Sequence, residues 1–192
     1  MKIQGTFMTV ALLAAAAFPA AAQSVGPKFS LEPAAYYATV SGDDFEGIDA
    51  GIGFDVQGRV KFTALSLGLG YQRSSHGLEG IDENVNVSGI FVEPRYELRS
   101  AASIKPYLTA RIGRVTQSIE AEGSEVKASG MSFGGGLGLM VPLASSIRLS
   151  TSASWNSLSL GEMEVDGDEI PDSKSSGSSV ALRVGMSFSF GR

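Results

Sequence analysis

Cysteine is absent from the 192 residues, histidine and tryptophan occur once each, and basic residues are the minority, 15 Lys and Arg against 20 Asp and Glu. Without cysteine there is no disulfide scaffold, no thiol nucleophile and no zinc site built on thiolates. The single histidine, His76, leaves little for imidazole-based metal binding or general-base chemistry. A formal charge of −5 lacks the basic footprint of nucleic-acid recognition, so nucleic acid is not an expected partner. Beyond the N-terminal segment, no apolar run approaches the about 18 residues that a spanning helix needs. No cofactor is expected either: Gly134-Gly135-Gly136 is followed by a strand pattern where a phosphate loop would need a helix N-terminus. What the chain does have is 24 glycines without a collagen period and a hydrophobic fraction of 43%, enough for one domain built on tight turns and closely packed strands.

The N-terminus reads as an export signal over residues 1–22. Lys2 supplies the positive region, Val10 to Phe18 the apolar region, and Ala20-Ala21-Ala22 the small residues of a cleavage site before Gln23. Loss of Lys2 leaves 14 basic residues against 20 acidic ones and a charge of −6 for residues 23–192. An exported chain without a spanning helix enters a membrane only as strands.

The remainder alternates with a period of two. Val180, Leu182, Val184, Met186, Phe188 and Phe190 are separated by Ala181, Arg183, Gly185, Ser187 and Ser189, a strand with one apolar face. Ile48 to Val56 and Ile147 to Trp155 repeat the pattern, as do Leu65 to Tyr71, Ile90 to Leu98 and Met131 to Val141. A weaker first strand carries Phe29, Leu31, Ala35 and Tyr37, and the segment from Tyr107 to Ser118 loses its phase near Gly113, where a bulge is expected. The pattern predicts eight strands.

Long and short connections alternate. Ser41 to Gly47, Ser74 to Val85, Glu120 to Lys127 and Gly161 to Gly177 read as long polar loops, and the links near Gln57 to Arg59, Ser100 to Lys105 and Pro142 to Ser146 as short turns. An up-and-down meander would place all long loops at one end, with the short turns and both termini at the other. Of the 20 acidic residues, 15 lie in the long loops, so the outer rim is acidic. Arg59, Lys61, Arg99, Lys105, Arg148 and Arg192 lie toward the turn end.

Alternation alone does not say which face points outward, since a soluble lipocalin-like barrel and a transmembrane barrel share it. The polar face is rich in Gly, Ser and charge, which suits a narrow lumen. Tyr37, Tyr71 and Trp155 toward one end, with Phe29, Tyr96, Phe188 and Phe190 toward the other, fit two interfacial girdles. The expected fold is all-β: a transmembrane antiparallel up-and-down β-barrel of eight strands.

From Lys28 to Phe190 the chain resembles the eight-stranded bacterial outer-membrane barrels of the OmpA/OmpX type. The closing strand Val-Ala-Leu-Arg-Val-Gly-Met-Ser-Phe-Ser-Phe resembles that family's C-terminal assembly signal, although Gly191 and Arg192 follow the terminal aromatic residue. The resemblance implies location in the cell outer membrane after leader cleavage. It also implies insertion by the outer-membrane assembly machinery, contact with outer-membrane lipids and lipopolysaccharide, and a lumen filled by side chains.

On the inward face stand Glu32, Asp49, Asp55, Glu93, Arg95, Glu97, Arg111, Arg148 and Arg183. Both signs occur in similar number, so these residues are expected to pair into a network that plugs the lumen. Elsewhere, His76 with Ser74, Ser75, Glu79, Asp82 and Glu83 offers the residue types of a hydrolase, but in one polar loop a solvated histidine is the expectation. The run from Glu162 to Asp172 holds possible calcium ligands at spacings unlike an EF-hand, and is expected to be a solvated acidic loop without metal. The function expected is a non-catalytic, monomeric barrel anchoring acidic surface loops for surface protection, adhesion or envelope integrity. The alternatives are an outer-leaflet lipid-modifying enzyme and a narrow channel for small solutes.

Overall fold

A computed structural model describes residues 28–190 apart from 122, 123, 166, 167 and 172. The expected leader and the two residues after Phe190 lie outside the described residues. The strands are β1 (Lys28–Ser41), β2 (Gly51–Lys61), β3 (Leu65–Leu78), β4 (Ile81–Glu97), β5 (Lys105–Ala121), β6 (Ser124–Pro142), β7 (Ile147–Val165), β8 (Asp168–Ile170) and β9 (Ser175–Phe190). Each pairs antiparallel with its neighbours, and β9 pairs with both β7 and β1, which closes the sheet. The three-residue β8 pairs only with the end of β7, so eight strands form the wall. No helix among the described residues is long and apolar enough to cross a membrane.

The register sets the width of the barrel. Leu31 lies opposite Gly58, and successive partners are Leu69, Val92, Ile112, Phe133, Ser157, Ser178 and Ser41. A circuit that starts at Leu31 therefore ends ten residues further along β1, at Ser41. With eight strands, this stagger tilts them by about 40° and leaves a lumen just wide enough for side chains to fill.

The alternation sorts the side chains as the sequence pattern implies. Leu69, Ile90, Ile112, Leu137, Leu182 and Val184 are exposed on the outer wall, and Tyr37, Tyr71, Trp155, Phe29, Tyr96 and Phe190 are exposed at the two edges of this apolar band. The inner face buries charged and polar residues. This inside-out anatomy is stable where the outer wall meets lipid.

Several elements differ from expectation. The first turn follows Lys61 rather than lying at Gln57–Arg59, because Gly58 interrupts the apolar pattern without interrupting the strand. No bulge occurs at Gly113, which stays in register with Phe91 and Ser132. Bulges lie instead at Gly77/Leu78 and in β7 opposite the step from Ala128 to Gly130. Most of the expected second, third and fourth loops is strand: β3 and β4 leave only Glu79 and Gly80 between them. These extensions invert the polarity rule. Above the apolar band, Val115, Ala128 and Leu160 point inward and pack around Phe45, with Ile48 against them, while Arg73 and Arg114 point outward. The apparent loss of phase in β5 is this inversion, the mark of a strand leaving lipid for water. Ile48 and Ala50, expected on the lipid face, precede β2 and are not part of the wall.

Candidate functional site in the barrel lumen

The middle of the lumen is occupied by charged and polar side chains supplied by five strands. Glu32 comes from β1; Asp55, Gln57, Arg59 and Lys61 from β2; Glu93, Arg95 and Glu97 from β4; Arg111 from β5; and Arg183 from β9. Their positions follow from parity: in β2 and β4 the odd-numbered residues face inward. Small residues of the intervening strands make the room. Gly68 of β3 lies on the same rung as Arg59 and Glu93, and a Cβ on it would stand 2.9 Å from Arg59 Nη2. A side chain there would have to displace the Gln57 amide and the Arg59 guanidinium.

Glu93 is the hub. Its Oε1 accepts from Arg59 Nη2 at 2.6 Å and Arg95 Nη2 at 3.1 Å, and its Oε2 accepts from Arg111 Nη2 at 2.6 Å and Nε at 3.1 Å. Arg95 Nη2 also reaches Glu32 Oε2 at 3.0 Å, and Gln57 Nε2 donates to the same oxygen at 3.2 Å. The guanidinium of Arg95 stacks 4.3 Å from the Tyr107 ring centroid and that of Arg111 lies 3.9 Å from that of Phe91. A separate clasp joins Arg183 to Asp55, and Lys61 pairs with Glu97. Such charges are tolerable in a confined lumen because each carboxylate meets at least one cation at hydrogen-bonding distance.

Of the nine sequence-predicted lumen residues, the structure brings Glu32, Asp55, Glu93, Arg95, Glu97, Arg111 and Arg183 into ion pairs. Two stand apart. Asp49 is exposed before β2, where its backbone is engaged, the amide with Gly77 and the carbonyl with His76, and its side chain makes no ion pair among the described residues. Arg148 sits half-buried at the turn end, 3.5 Å from Met140 Sδ, without an ion pair among the described residues. Gln57, Arg59 and Lys61 were hidden in the sequence because the turn was expected at that point; their spacing of two after Asp55 is the signal that identifies them.

Above the network lies a cavity of about 80 Å³. Asp55, Arg111 and Arg183 form its floor, and Phe45, Val85, Val115 and Leu160 its roof. Phe45 is carried inward by a short 3-10 turn, Asp43–Phe45, in the connection between β1 and β2. A Cβ on Gly177 would stand 2.6 Å from the Phe45 ring, so the glycine leaves the ring room to pack there. His76 lines the same cavity from β3. Contrary to the expectation of a solvated loop residue, it is only 2% exposed. Its Nδ1 lies 3.1 Å from the Asp49 carbonyl, which can only accept, so Nδ1 carries the proton and Nε2 accepts the Ser74 hydroxyl at 3.1 Å. Neither ring nitrogen meets a carboxylate. Among the described residues no group of three metal-ligating side chains converges.

A closed eight-strand wall with an apolar exterior, aromatic edges and a charge-filled interior defines a transmembrane β-barrel of the outer-membrane class. The chain belongs to the outer membrane protein beta-barrel domain family, whose match spans residues 8–190. Among solved structures it is similar to neisserial surface protein A of Neisseria, with a TM-score of 0.65 and 18% identity, covering 85% of this chain and 97% of that one. A major outer membrane protein of Thermus thermophilus has a TM-score of 0.55 and 15% identity, covering 86% and 100%. Ail, the attachment invasion locus protein of Yersinia pestis, has 0.50 and 13%, covering 85% and 97%. At these identities the likeness is one of fold. No curated protein matches the chain.

Proposed function

We propose that this barrel is a plugged, monomeric anchor in the outer membrane, without catalytic function, that presents an acidic rim at the cell surface for protection, adhesion or envelope integrity. The observation that carries the proposal is the contrast between a mid-lumen crossed by the Glu93 ion pairs and carboxylates exposed at the long-hairpin end, among them Asp43, Asp44, Glu46, Asp168 and Glu169. A sealed lumen leaves the rim as the surface through which the protein acts. The extended hairpins make that rim a stiff collar.

The test is complementation. A strain lacking the protein is supplied with wild-type chain or with a chain whose rim carboxylates are changed to Asn and Gln, and is scored for surface attachment and detergent resistance. The neutral-rim chain is expected to assemble normally and to fail to complement. Full complementation would overturn the proposal, as would steady single-channel currents from purified wild-type protein.

The Ser74–His76 hydrogen bond favours a second reading, acyl transfer on an outer-leaflet lipid with Ser74 as nucleophile and His76 as base. Both residues lie beneath Phe45, and no carboxylate orients the imidazole. Covalent labelling of Ser74 by a fluorophosphonate, lost in His76→Ala, is the result that would favour the enzyme over the anchor.

A further inference from the structure

Two arginines on the outer wall stand apart from the lumen. Arg73 of β3 and Arg114 of β5 face outward, and neither makes an ion pair or side-chain hydrogen bond among the described residues. Each sits one outward position above the apolar band: Arg73 above Tyr71, which is exposed on the upper aromatic edge, and Arg114 above Ile112, which is exposed among the lipid-facing residues. Ile90 lies opposite Arg114 on the intervening strand, and Ser88 opposite Arg73.

The register places the two cations level. Arg73 is opposite Ser88, and Ser88 is opposite Thr116, two residues beyond Arg114. Crossing two strands raises the register by about 6 Å in a barrel tilted by about 40°, and stepping back two residues lowers it by about 5 Å. Their Cα atoms are therefore about 11 Å apart at one height, within convergent reach of two long side chains. Among the described side chains, no carboxylate lies within two outward positions of either arginine on its own strand. The outward positions around them on β3, β4 and β5 are Ser75, Asn86, Ser88, Thr116 and Ser118, neutral hydroxyls and an amide. At the same height the other strands present Thr39, Ile52, Met131, Ser157 and Val180, so the positive charge is confined to one side of a chain that is acidic overall.

We propose that Arg73 and Arg114 form a clamp for a phosphorylated glycolipid headgroup of the outer leaflet. The proposal rests on the outer-membrane placement above and names one partner of the wall below the rim. Guanidinium forks at the boundary between acyl chains and water bind phosphate bidentately, and the flanking hydroxyls add donors to sugar and phosphate oxygens. A spacing of about 11 Å suits a headgroup with a phosphate at each end better than one with a single phosphate.

The experiment uses the full chain folded in detergent, titrated with diphosphoryl lipid A, monophosphoryl lipid A and inorganic phosphate. Folding of each variant is checked by its gel shift on boiling. Wild-type protein is expected to prefer the diphosphoryl lipid. The double variant Arg73→Gln/Arg114→Gln should bind it at least tenfold more weakly and lose the preference, because both charge-assisted contacts to phosphate are lost. Arg99→Gln, which removes the same charge at the turn end, should bind as wild type, and Arg73→Lys/Arg114→Lys should keep part of the preference. Equal binding by wild type and the double variant would overturn the clamp, as would displacement of the lipid by equimolar inorganic phosphate. Labelling of Asp44→Cys on intact cells separates the two proposals: label reaching Asp44 while the arginine variants bind normally removes the clamp alone, and label that fails to reach it removes the surface placement.

Discussion

Arg183 grips Asp55 through two parallel hydrogen bonds, Nε to Oδ2 at 2.7 Å and Nη2 to Oδ1 at 2.8 Å, and in doing so ties β9 to β2 across the whole width of β1. The clasp spans the strand that carries Ala34, which lies opposite Asp55 on one side and Gly185 on the other. It bridges the seam at which β1 and β9, the first and last described strands, meet.

Breaking one half of that clasp leaves a buried, uncompensated charge. Arg183→Ala or Asp55→Ala is expected to destabilise the folded barrel by about 3–5 kcal/mol, and the double variant by less than the sum, because neither charge then remains unpaired. Urea titration of the barrel in lipid vesicles, with all four chains of the cycle, measures the coupling.

On the outer wall the sign of the environment is reversed. Leu69 is 64% exposed near the middle of the apolar band, so Leu69→Arg places a charge at the bilayer midplane. The expected penalty is about 2–4 kcal/mol in lipid. Arg73→Leu on the same strand, at the edge of the band, should be nearly neutral for folding in the same titration.

Phe45 plugs the upper cavity with 5% of its surface exposed. Phe45→Ala is expected to cost about 3–5 kcal/mol in local packing and to free the connection between β1 and β2. Limited proteolysis of intact cells should then cut between Ser41 and Gly51, where the wild-type chain resists, while the mid-lumen network stays closed to current.

The fold was legible because period-two alternation marks the two faces of each strand residue by residue, while alternating connection lengths and aromatic edges indicate that the apolar face meets lipid. Seven of the lumen residues were legible for the same reason: parity alone points Glu93, Arg95 and Glu97 inward. What sequence reasoning missed has a physical cause in each case. Gly58 resembled a turn because it adds nothing to the apolar face, yet it is an ordinary outward position of β2, and Gln57 and Arg59 disappeared with it. The upper hairpins resembled loops because their outward residues are polar, although Val85, Val115 and Leu160 keep strand periodicity with the opposite sense. His76 followed that error into solvent. Asp49 was placed inward by starting β2 at Ile48, three residues before its first residue, Gly51.

Phe190 is the last described residue of β9, exposed on the outer wall and paired with Phe29 of β1. Both rings sit where the closing seam reaches the turn-end interface, a position that suits aromatic side chains. Phe190→Ala should lower the amount of assembled barrel recovered from the outer membrane, and removal of Gly191 and Arg192 should leave it unchanged or raise it. The fraction that shifts on a detergent gel before and after boiling reports both.

The central claim is that lipid meets the apolar face and the lumen holds the charged one. The absence of cysteine allows it to be tested directly. Nitroxide labels on single cysteines introduced along β3, at Leu65, Leu67, Leu69 and Tyr71 on one face and at Ser66, Gln72 and Ser74 on the other, are read for collision with oxygen and with a water-soluble nickel chelate in lipid vesicles. The account predicts high oxygen accessibility at the odd-numbered positions, greatest near Leu69, and low oxygen accessibility at the even-numbered ones. High oxygen accessibility at Ser66, Gln72 and Ser74 with protection at Leu67 and Leu69 would contradict it.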